Sequence, residues 1–411
     1  MEPIYLDYNA TTPIDKEVSQ SIIPFLESLF GNPSSSHSFG VKAKLAVEEA
    51  RSEISKLIGC DIDEIIFTSG GSEANNLAIK GVAYAHQAKG RHLITSKIEH
   101  PAVLEVYKFL QKQGWSISLI GVGRDGIINL TELEAAIRPD TVLISVMHSN
   151  NETGTLQPIR EICEIAHAHD ILVHSDAAQS IGKERVDVRE LGVDLLSVAG
   201  HKFYAPKGIG ALYIRRGVTL EKLIHGADHE RNLRAGTENV PEIVGLGRAA
   251  RIVRQGLEEY RAHMRLLRDR LSTLLLGAGL EVRVNGSEEQ RLVNTLSVSF
   301  HGVEANTLLS ELSGIAASAG AACHSGDVKM SHVLEAMGIE PEWAMGTIRL
   351  STGRLLTIEE VELAANQIIE AVRRLQGKPV ERKAEDTSTI KLTHYTHGLG
   401  CACKLRPQML E

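Results

Sequence analysis

The segment ILVHSDAAQ, residues Ile171–Gln179, is a short apolar run that ends in a polar cluster. Similar runs recur between helical patterns, which is typical of a mainly parallel α/β sheet. The predicted strands are Glu64–Thr68, His92–Thr95, Ser116–Ile120, Val142–Met147, Ile171–His174, Leu195–Val198 and Gly210–Ile214. The runs IIFTSGGSE and ISVMHSNNETG also end in polar residues. Because ligands of open α/β sheets gather at the carboxyl ends of strands, we expect one site assembled from these loops.

A long helical pattern from about Pro241 to Leu276 separates this region from a second one. Its Arg, Glu and Leu residues alternate at helical spacing, which predicts a helix that connects two lobes. The predicted elements of a smaller α/β lobe are the strands Val293–Phe300 and Thr347–Leu350 and the helix from Ile358 to about Leu375. We assign residues 15–255 to a large domain, residues 1–14 and 256–376 to a small lobe, residues 377–389 to a polar, flexible linker, and residues 390–411 to a separate tail.

The composition is that of an ordinary globular protein of 411 residues, which needs neither disulfides nor metals to build its core. Lys and Arg total 44 against 52 Asp and Glu, a formal charge of -8, and no basic stretch is sustained. Neither nucleic acid nor an anionic membrane is therefore expected as a main partner. No apolar run has the length of a signal-peptide core or a membrane span. We expect a soluble, cytoplasmic protein.

The five cysteines are odd in number and mostly scattered, which does not fit a disulfide framework. Cys60 and Cys163 lie beside apolar residues, and we expect buried structural thiols there. Cys323, Cys401 and Cys403 lie in Gly/Ala-rich or polar segments. These three are the candidates for reactive groups.

The stretch SVAGHKFYAPKGIG, residues Ser197–Gly210, places Lys202 between a predicted strand and a turn that contains Gly and Pro. On its own such a lysine fits a solvated loop residue. Asp176 and Gln179, however, follow another predicted strand, and an acid there can pair with a protonated ring nitrogen. An enzyme that uses pyridoxal phosphate (PLP) needs a lysine for a Schiff base and a carboxylate that keeps the pyridinium protonated. Lys202 and Asp176 are candidates for these two roles.

The segment TSGGSEAN, residues Thr68–Asn75, is a candidate phosphate cradle. It combines a Gly-Gly turn and a hydroxyl with the start of a predicted helix, where free backbone N–H groups and the helix dipole favour an anion. A plain strand-to-helix turn would also use glycine. The segment alone leaves both interpretations open.

Ten motifs along the chain carry a family resemblance. They are YLDYNATTP (Tyr5–Pro13), GNPSSSHSFG (Gly31–Gly40), FTSGGSEANNLAIKG (Phe67–Gly81), EHPAVL (Glu99–Leu104), NNETG (Asn150–Gly154), HSDAAQ (His174–Gln179), GHKFYAPKGIGALY (Gly200–Tyr213), RAGTEN (Arg234–Asn239), SAGAACHS (Ser318–Ser325) and IRLSTGR (Ile348–Arg354). Their order over residues 4–375 resembles the NifS-like class of PLP-dependent cysteine desulfurases and selenocysteine lyases. The resemblance implies fold type I, the aspartate-aminotransferase-like architecture, and a homodimer.

The same resemblance implies roles for individual residues. Those implied at the cofactor are Lys202 as the Schiff-base lysine, Asp176 at the pyridinium nitrogen, Gln179 and Asn151 at the phenolic oxygen and ring face, His100 stacked on the ring and assisting proton transfer, Gly71, Ser72 and His201 at the phosphate, and Thr237 as a hydroxyl from the second subunit. Those implied at the substrate are Asn9, Asn151 and Arg349, the last for its carboxylate. One position departs from the commonest desulfurase pattern, because Ala199 stands where serine is frequent. One phosphate hydroxyl contact is therefore missing.

Cys323 lies in ASAGAACHSGD, a predicted loop of small residues. A mobile loop suits a nucleophile that meets the substrate and then hands over its cargo. As a thiolate, Cys323 would attack the substrate's sulfur or selenium and leave alanine and a persulfide or selenopersulfide. Its neighbour His324 is either a proton donor or acceptor or an exposed loop residue. The tetrad ACHS resembles selenocysteine lyases more than housekeeping desulfurases.

The tail LTHYTHGLGCACKL, residues Leu392–Leu405, contains a Cys-x-Cys-Lys sequence. A neighbouring lysine favours thiolate, so a low-pKa thiol pair, a metal site with His394 and His397, and an inert terminus are the alternatives. The segment also resembles the N-terminal motif of selenophosphate synthetase, which implies Cys401 and Lys404 as a catalytic pair. We expect it to open a fused module that receives selenium from Cys323.

These residues distinguish between three functions. The first is a PLP-dependent lyase that converts L-selenocysteine or L-cysteine to L-alanine and supplies the fused synthetase, with a general cysteine desulfurase for iron-sulfur clusters or thio-modification as the alternative. Cys323 argues against the second, a transaminase. Intact Lys202, Asp176 and Cys323 argue against the third, an idle scaffold. No metal is expected in the main site.

Overall fold

The computed structural model describes residues 2–324 and 327–377, and at positions 321–324 and 327–329 it describes the backbone alone. The strands are β1 (Ile4–Tyr5), β2 (Ile65–Thr68), β3 (His92–Ser96), β4 (Ser116–Ile120), β5 (Thr141–Ser145), β6 (Leu172–Asp176), β7 (Leu195–Ala199), β8 (Gly210–Ile214), β9 (Val282–Asn285), β10 (Thr295–Phe300), β11 (Ile315–Ala316), β12 (Ser318–Ala319), β13 (Ala321–His324), β14 (Asp327–Met330) and β15 (Thr347–Ser351). The helices are α1 (Lys16–Glu27), α2 (Ser38–Ile58), α3 (Gly71–His86), α4 (Pro101–Lys112), α5 (Leu130–Ala135), α6 (Ile159–His167), α7 (Val188–Leu191), α8 (Val240–Leu276), α9 (Ala305–Glu311), α10 (His332–Ala336), α11 (Pro341–Ala344) and α12 (Ile358–Leu375). The predicted linker at 378–389 and the whole tail lie outside the described residues.

Seven strands form the central sheet in the order β2-β8-β7-β6-β5-β3-β4. Neighbouring strands are parallel except β8, which is antiparallel to both β2 and β7. The central strands are buried along their whole length, because helices cover both faces of the sheet. The predicted α/β fold of type I, with a large and mainly parallel sheet, is confirmed.

The predicted strands differ from the observed ones mainly at their ends. The run predicted as Ile171–His174 forms β6 as far as Asp176, because Ser175 and Asp176 continue the parallel pairing with β7. Asp176 is thus the last residue of the strand and does not lie beyond it. The run predicted as Val142–Met147 ends at Ser145, where its pairing with β6 stops.

The smaller lobe is built on an antiparallel sheet with the order β12-β15-β10-β9. Its core contains Leu296, Phe300, Leu350 and Ile368, and the N-terminal residue Leu6 packs among them. Strand β1 pairs with β11 in the same lobe. The chain therefore starts within the packing of the small lobe before it enters the large sheet.

Helix α8 runs without interruption through 37 residues and joins the two cores. Leu246 and Val253 belong to the core of the large sheet, whereas Leu267 and Leu271 belong to the core of the small lobe. The boundary predicted at residues 255 and 256 falls inside this helix. Among the described residues, no helix is both long and apolar enough to cross a bilayer.

The segment around Cys323 differs from the sequence prediction. We predicted a loop there, but β13 and β14 pair antiparallel, with Cys323 opposite Val328. The two segments satisfy each other's backbone hydrogen-bonding groups across the antiparallel pair. Cys323 therefore lies on a two-stranded hairpin, and its side chain lies outside the described part of the structure.

Candidate active site

A cavity of about 280 Å³ opens at the carboxyl ends of the central strands. Eight of the residues that the sequence predicts for the site line it: Gly71, Ser72, His100, Asn151, Asp176, Gln179, His201 and Lys202. They come from five segments that are distant in sequence, and the sheet brings them together. The predicted residues thus converge at one edge of the sheet, and their roles stay predictions.

Lys202 ends a short 3-10 turn, Gly200–Lys202, that follows β7. Its Nζ donates hydrogen bonds of 2.6 Å to the carbonyl oxygen of Asn9 and 2.8 Å to that of Ala10. Burial, together with the positive charge of Arg349, lowers the pKa of Lys202 to about 8, against the opposing influence of Asp176. A lysine with this pKa is neutral in roughly a tenth of the molecules at pH 7, far more than an ordinary lysine, and the neutral amine is the form that attacks an aldehyde.

Asp176 is buried and is held by two hydrogen bonds. Its Oδ2 accepts from Nδ2 of Asn75 at 2.7 Å, and its Oδ1 accepts from the backbone N–H of Ala178 at 2.9 Å. The Oδ1 atom of Asn75 is buried and has no hydrogen-bond partner within the described chain. Sequence reasoning missed Asn75, although it lines the cavity and fixes the carboxylate predicted to pair with the cofactor.

The first turn of α3 forms one end of the cavity. Helix α3 begins at Gly71, and Gly70 before it has φ of +145°. A first helical turn leaves backbone N–H groups without partners inside the helix, which suits an anion. A Cβ atom added to Gly210 would lie 2.8 Å from Cα of Gly70, so glycine at 210 permits this close approach of β8. The Gly-Gly turn thus leads into the first turn of α3 beside the cavity, and its role as a phosphate cradle stays a prediction.

His201 lies beside this cradle. Its Nδ1 is 3.1 Å from the Thr11 hydroxyl oxygen. Burial, together with the positive charge of Lys202, lowers the pKa of His201 to about 4. The imidazole is therefore neutral at neutral pH, and one ring nitrogen can donate to an oxygen of a phosphate group.

His100 is the N-cap of α4 and faces the same cavity. Its Nδ1 accepts a hydrogen bond of 3.1 Å from the backbone N–H of Ala102. Burial lowers the pKa of His100, although Asp176 acts in the opposite direction. The neutral ring thus carries its proton on Nε2 and remains available for stacking or proton transfer.

Glu99, the neighbour of His100, is a second residue that sequence reasoning missed. Its carboxyl group is buried and accepts from the backbone N–H of Met147 at 3.0 Å and from the hydroxyl of Ser96 at 2.5 Å. Burial raises the pKa of Glu99 to about 8. This carboxyl group clamps the end of β3 to the chain after β5 and so supports the wall that carries His100.

The predicted substrate residues form a connected group at the edge of the cavity. Asn9 donates from Nδ2 to the carbonyl oxygen of Asn151 at 3.3 Å, and Arg349 donates from Nη1 to the same oxygen at 3.0 Å. Arg349 also forms an ion pair of 2.8 Å with Asp7. Its Nε is buried and has no partner in the part of the chain that the structure covers. Asn9 and Arg349 therefore lie one contact away from the cavity lining.

The remaining predicted residues do not meet in the cavity of one chain. Thr237 is exposed and does not line the cavity, so its contact with a second subunit stays a prediction. Cys401 and Lys404 lie outside the described residues. Cys60 and Cys163 are partly or fully buried, and burial raises the pKa of each thiol to about 12, which fits structural thiols.

Ser331, directly after β14, ties the hairpin that carries Cys323 to the active-site loops. Its hydroxyl donates a hydrogen bond of 2.6 Å to Glu152 in the NNETG motif, next to Asn151. His332 Nε2 is 3.0 Å from the carbonyl oxygen of Glu99. The base of the hairpin is thereby attached to the wall of the cavity.

The site combines three features: a lysine after strand β7, a carboxylate at the end of the neighbouring strand β6, and the N-terminal turn of a helix that suits an anion. Together they define an enzyme of the PLP-dependent fold type I. The chain belongs to the aminotransferase class-V family, which matches residues 4–363. The cofactor of this family is PLP, and the residues present fit it: an amine with carbonyl partners only, a fixed carboxylate, and free N–H groups at the start of α3.

The chain is also similar to individual members of this family. It is 46% identical over 390 residues to the cysteine desulfurase IscS of Dictyoglomus turgidum, covering 94% of this chain and 99% of the relative. A solved structure of a NifS-like protein superposes with a TM-score of 0.85 at 40% identity, covering 90% of this chain and 100% of the other. A structure of SspA in complex with cysteine gives a TM-score of 0.76 at 38% identity, covering 85% of this chain and 99% of the other.

Proposed function

We propose that the chain is a PLP-dependent cysteine desulfurase that converts L-cysteine to L-alanine and takes the sulfur atom onto Cys323. The observation that carries this proposal is the cavity that holds both Lys202, with a pKa near 8, and the fixed carboxylate of Asp176. The names of the similar proteins support sulfur chemistry. They favour the general cysteine desulfurase over the selenium-specific enzyme that the sequence suggested first.

In this proposal the bound cofactor supplies an electron sink for the substrate. Asp176 stabilises the protonated ring nitrogen, and Asn75 keeps its carboxylate in place. Lys202 would hold the cofactor, and its Nζ would also be able to move a proton. His100, which lines the same cavity, would offer its Nε2 proton. Arg349 is the cation nearest Asn151 for the carboxylate of the amino acid.

The sulfur step uses the thiolate of Cys323 as nucleophile. A new S–S bond forms between Cys323 and the substrate's sulfur while the bond between that sulfur and the substrate's β-carbon breaks. The electron pair of the broken bond stays on the carbon skeleton, which takes up a proton and leaves as alanine. The enzyme retains a persulfide, Cys323–S–SH, and an added thiol reductant or an acceptor protein then removes the outer sulfur.

The direct experiment is alanine formation from L-cysteine by the purified, cofactor-loaded protein in the presence of a thiol reductant. We expect Lys202→Ala to lose both the bound-cofactor absorbance and alanine formation. Cys323→Ala is expected to keep the cofactor and lose alanine formation. Cys60→Ala is the matched control, because Cys60 lies outside the cavity. Unchanged turnover in either of the first two variants would contradict the proposal.

A second candidate function is selenocysteine lysis coupled to a fused selenophosphate synthetase module. The tail sequence GLGCACK, with Cys401 and Lys404, is the observation that favours it. Fusion of the two modules in one chain would raise the local concentration of one site at the other. Parallel assays with L-selenocysteine and L-cysteine test the preference. Equal or better turnover of cysteine, together with no ATP-dependent selenophosphate formation, would reject this candidate.

We further propose that the enzyme works as a homodimer. Exposed large apolar side chains support this proposal. Leu26 on α1 is 66% exposed, Phe30 after α1 is 73% exposed, and Leu45 on α2 is 65% exposed. Such a group on a surface is typical of an interaction site. Sedimentation of the native protein and of a Phe30→Asp variant tests it, and a monomeric native enzyme with full activity would refute it. A cytoplasmic location remains a prediction.

A further inference from the structure

Lys183 is a buried lysine that lies behind the wall of the active-site cavity. The residue is 3% exposed, and none of the described carboxylates lies within ion-pair distance of its amine. Its Nζ donates hydrogen bonds of 2.8 Å to Oε1 of Gln179 and 3.1 Å to Oδ1 of Asn9. Lysine is seldom fully buried without a charged partner, because the loss of hydration is costly. Its position therefore calls for a functional reason.

A tight turn after β6 brings Lys183 back to Gln179. The backbone N–H of Lys183 donates to the carbonyl oxygen of Ser180 at 3.0 Å. Gly182 has φ of +82°, and a Cβ atom there would lie 2.7 Å from Cβ of Phe203, so both conformation and space require glycine. The turn places two residues that are four apart in sequence side by side in the interior.

The Gln179 amide lies between a donor, the Lys183 amine, and an acceptor, the Asn9 carbonyl oxygen. The two ends of an amide have nearly the same shape, so their hydrogen-bond partners decide the orientation. The Lys183 amine presents donors, so it selects the Oε1 atom of Gln179. The Nε2 atom must then face the other side, where it donates to the carbonyl oxygen of Asn9 at 2.9 Å.

The same carbonyl oxygen links this amide to Lys202. The Asn9 oxygen accepts from Nε2 of Gln179 and, at 2.6 Å, from Nζ of Lys202. Lys183 also donates to the side chain of Asn9, whose Oδ1 accepts a further hydrogen bond of 3.0 Å from Asn294. A continuous set of donors and acceptors thus runs from Lys183 to the amine that holds the cofactor.

We propose that Lys183 is a positioning residue of the cofactor site, because it fixes the amides of Gln179 and Asn9 so that Gln179 presents an N–H donor beside Lys202. This inference rests on the PLP site assigned above. With the amide reversed, Oε1 of Gln179 would face the Asn9 carbonyl oxygen and any cofactor oxygen near it. Two acceptors facing each other repel, so the cofactor would be held less tightly.

The proposed role of Lys183 does not depend on the protonation state of its amine. Burial lowers the pKa of Lys183 well below its ordinary value, and the positive charges of Lys202 and Arg349 lower it further. A neutral amine still has N–H donors for Gln179 and Asn9, and a charged one has an additional donor. The orientation of the amide is therefore kept in either protonation state.

The test uses the variant Lys183→Met, which keeps the length of the side chain and removes its donors. We expect the dissociation constant of PLP to rise about 3- to 10-fold, as for the loss of one hydrogen bond. We also expect the pH midpoint of the Lys202-bound cofactor absorbance to rise by about 0.5 to 1 unit, because a donor near that group favours its deprotonated form. Lys108→Met, an exposed lysine on α4, is the control.

A double-variant cycle separates positioning from a structural role. If Lys183 acts through Gln179, Lys183→Met shifts the absorbance midpoint in the native background and has no further effect in Gln179→Leu. An equal shift in both backgrounds, or no shift in the native background, would overturn the proposal. If Lys183→Met does not fold, Lys183→Leu, which also lacks an N–H donor, takes its place in the cycle, and the same two outcomes decide.

The readouts keep this inference apart from the proposed activity. Native protein that binds PLP but forms no alanine from cysteine would reject the desulfurase activity and leave the absorbance cycle fully informative. The other outcome is a native protein that binds PLP and forms alanine, together with a Lys183→Met variant that has the same absorbance midpoint and the same PLP affinity. This outcome would reject the role of Lys183 and leave the desulfurase activity standing.

Discussion

The side-chain amide of Asn75 donates a hydrogen bond of 2.7 Å to the carboxylate of Asp176, and so joins helix α3 to the end of strand β6. The two residues are 101 positions apart in sequence. Because the carboxylate has only one further partner in the described structure, the Ala178 N–H, the amide of Asn75 limits its rotation. The side chain that positions the acid is therefore as much a part of the cofactor site as the acid itself.

We expect Asn75→Ala to weaken PLP binding by about 3- to 10-fold, because one hydrogen bond to a charged group is lost and Asp176 becomes free to turn. Equilibrium dialysis of the apoprotein with PLP measures this change. Asn76→Ala is the matched control on the same helix, since the Asn76 amide donates to the Ser72 carbonyl oxygen and not to Asp176. Equal affinities of native protein and Asn75→Ala would show that the carboxylate is fixed by other means.

The lowered pKa of Lys202 predicts how fast the apoprotein takes up its cofactor at different pH values. With a pKa of about 8, most of the amine is protonated below that pH and neutral above it. The rate of Schiff-base formation should therefore rise through about pH 8 and then level off, well below the ordinary lysine range near 10.4. Stopped-flow absorbance measures the rate, with Lys202→Arg as the control that forms no adduct. A rate that is still rising steeply at about pH 10 would show that the pKa is not lowered.

Ala199 provides a test of the phosphate end of the site. A Cβ atom added to Gly71 would lie 3.1 Å from Cβ of Ala199, so position 199 lies directly against the first residue of α3. Ala199→Ser adds a hydroxyl there, and we expect PLP to bind about 2- to 10-fold more tightly through one added hydrogen bond. The half-time of PLP loss during dialysis measures the effect. Faster loss from the serine variant would place the phosphate elsewhere.

The ion pair between Arg51 and Glu230 predicts a large effect on stability. Both side chains are buried, Glu230 accepts from the two ends of the guanidinium at 2.8 and 2.7 Å, and it also accepts from the backbone N–H of Phe67 at 2.7 Å. Removal of one charge from a buried pair costs about 3–5 kcal/mol, so Glu230→Gln should lower the free energy of unfolding by that amount. Urea unfolding of the apoprotein measures it.

Glu48 provides the control for this stability prediction, because it contacts the same Arg51 from an exposed position. Exposed ion pairs contribute about 0–1 kcal/mol, so Glu48→Gln should change the free energy of unfolding by no more than that. Similar losses in the two variants would show that burial does not set the strength of this pair.

The sequence predicted most of the site because its chemistry lies in local segments. Lys202, Asp176 and His100 each follow a predicted strand, and parallel strands bring their carboxyl ends to one edge of the sheet. The sequence did not predict the antiparallel direction of β8, since pairing direction depends on partners that are distant along the chain. It also did not predict the hairpin at Cys323, because small residues fit both a loop and an extended strand.

The residues that sequence reasoning missed act through contacts between distant elements. Asn75 matters because α3 packs against the end of β6, and Glu99 matters because it spans β3 and the chain after β5. Lys183 resembles any surface lysine in sequence, and only the turn at Gly182 shows that it is buried. Such residues are recognised only in the folded structure. The hydrogen-bond partner of each lies on another element of the fold, so the neighbouring sequence does not indicate the contact.

A single-turnover reaction with L-cysteine labelled in its sulfur tests the central claim most directly. The cofactor-loaded protein is mixed with the substrate without reductant, and digestion followed by mass spectrometry locates the label. We expect one labelled sulfur on the peptide that contains Cys323, one alanine released per active site, and neither in Lys202→Ala. Alanine release with no label on Cys323, or label on Cys323 in the Lys202→Ala variant, would contradict a PLP-dependent transfer of sulfur to this cysteine.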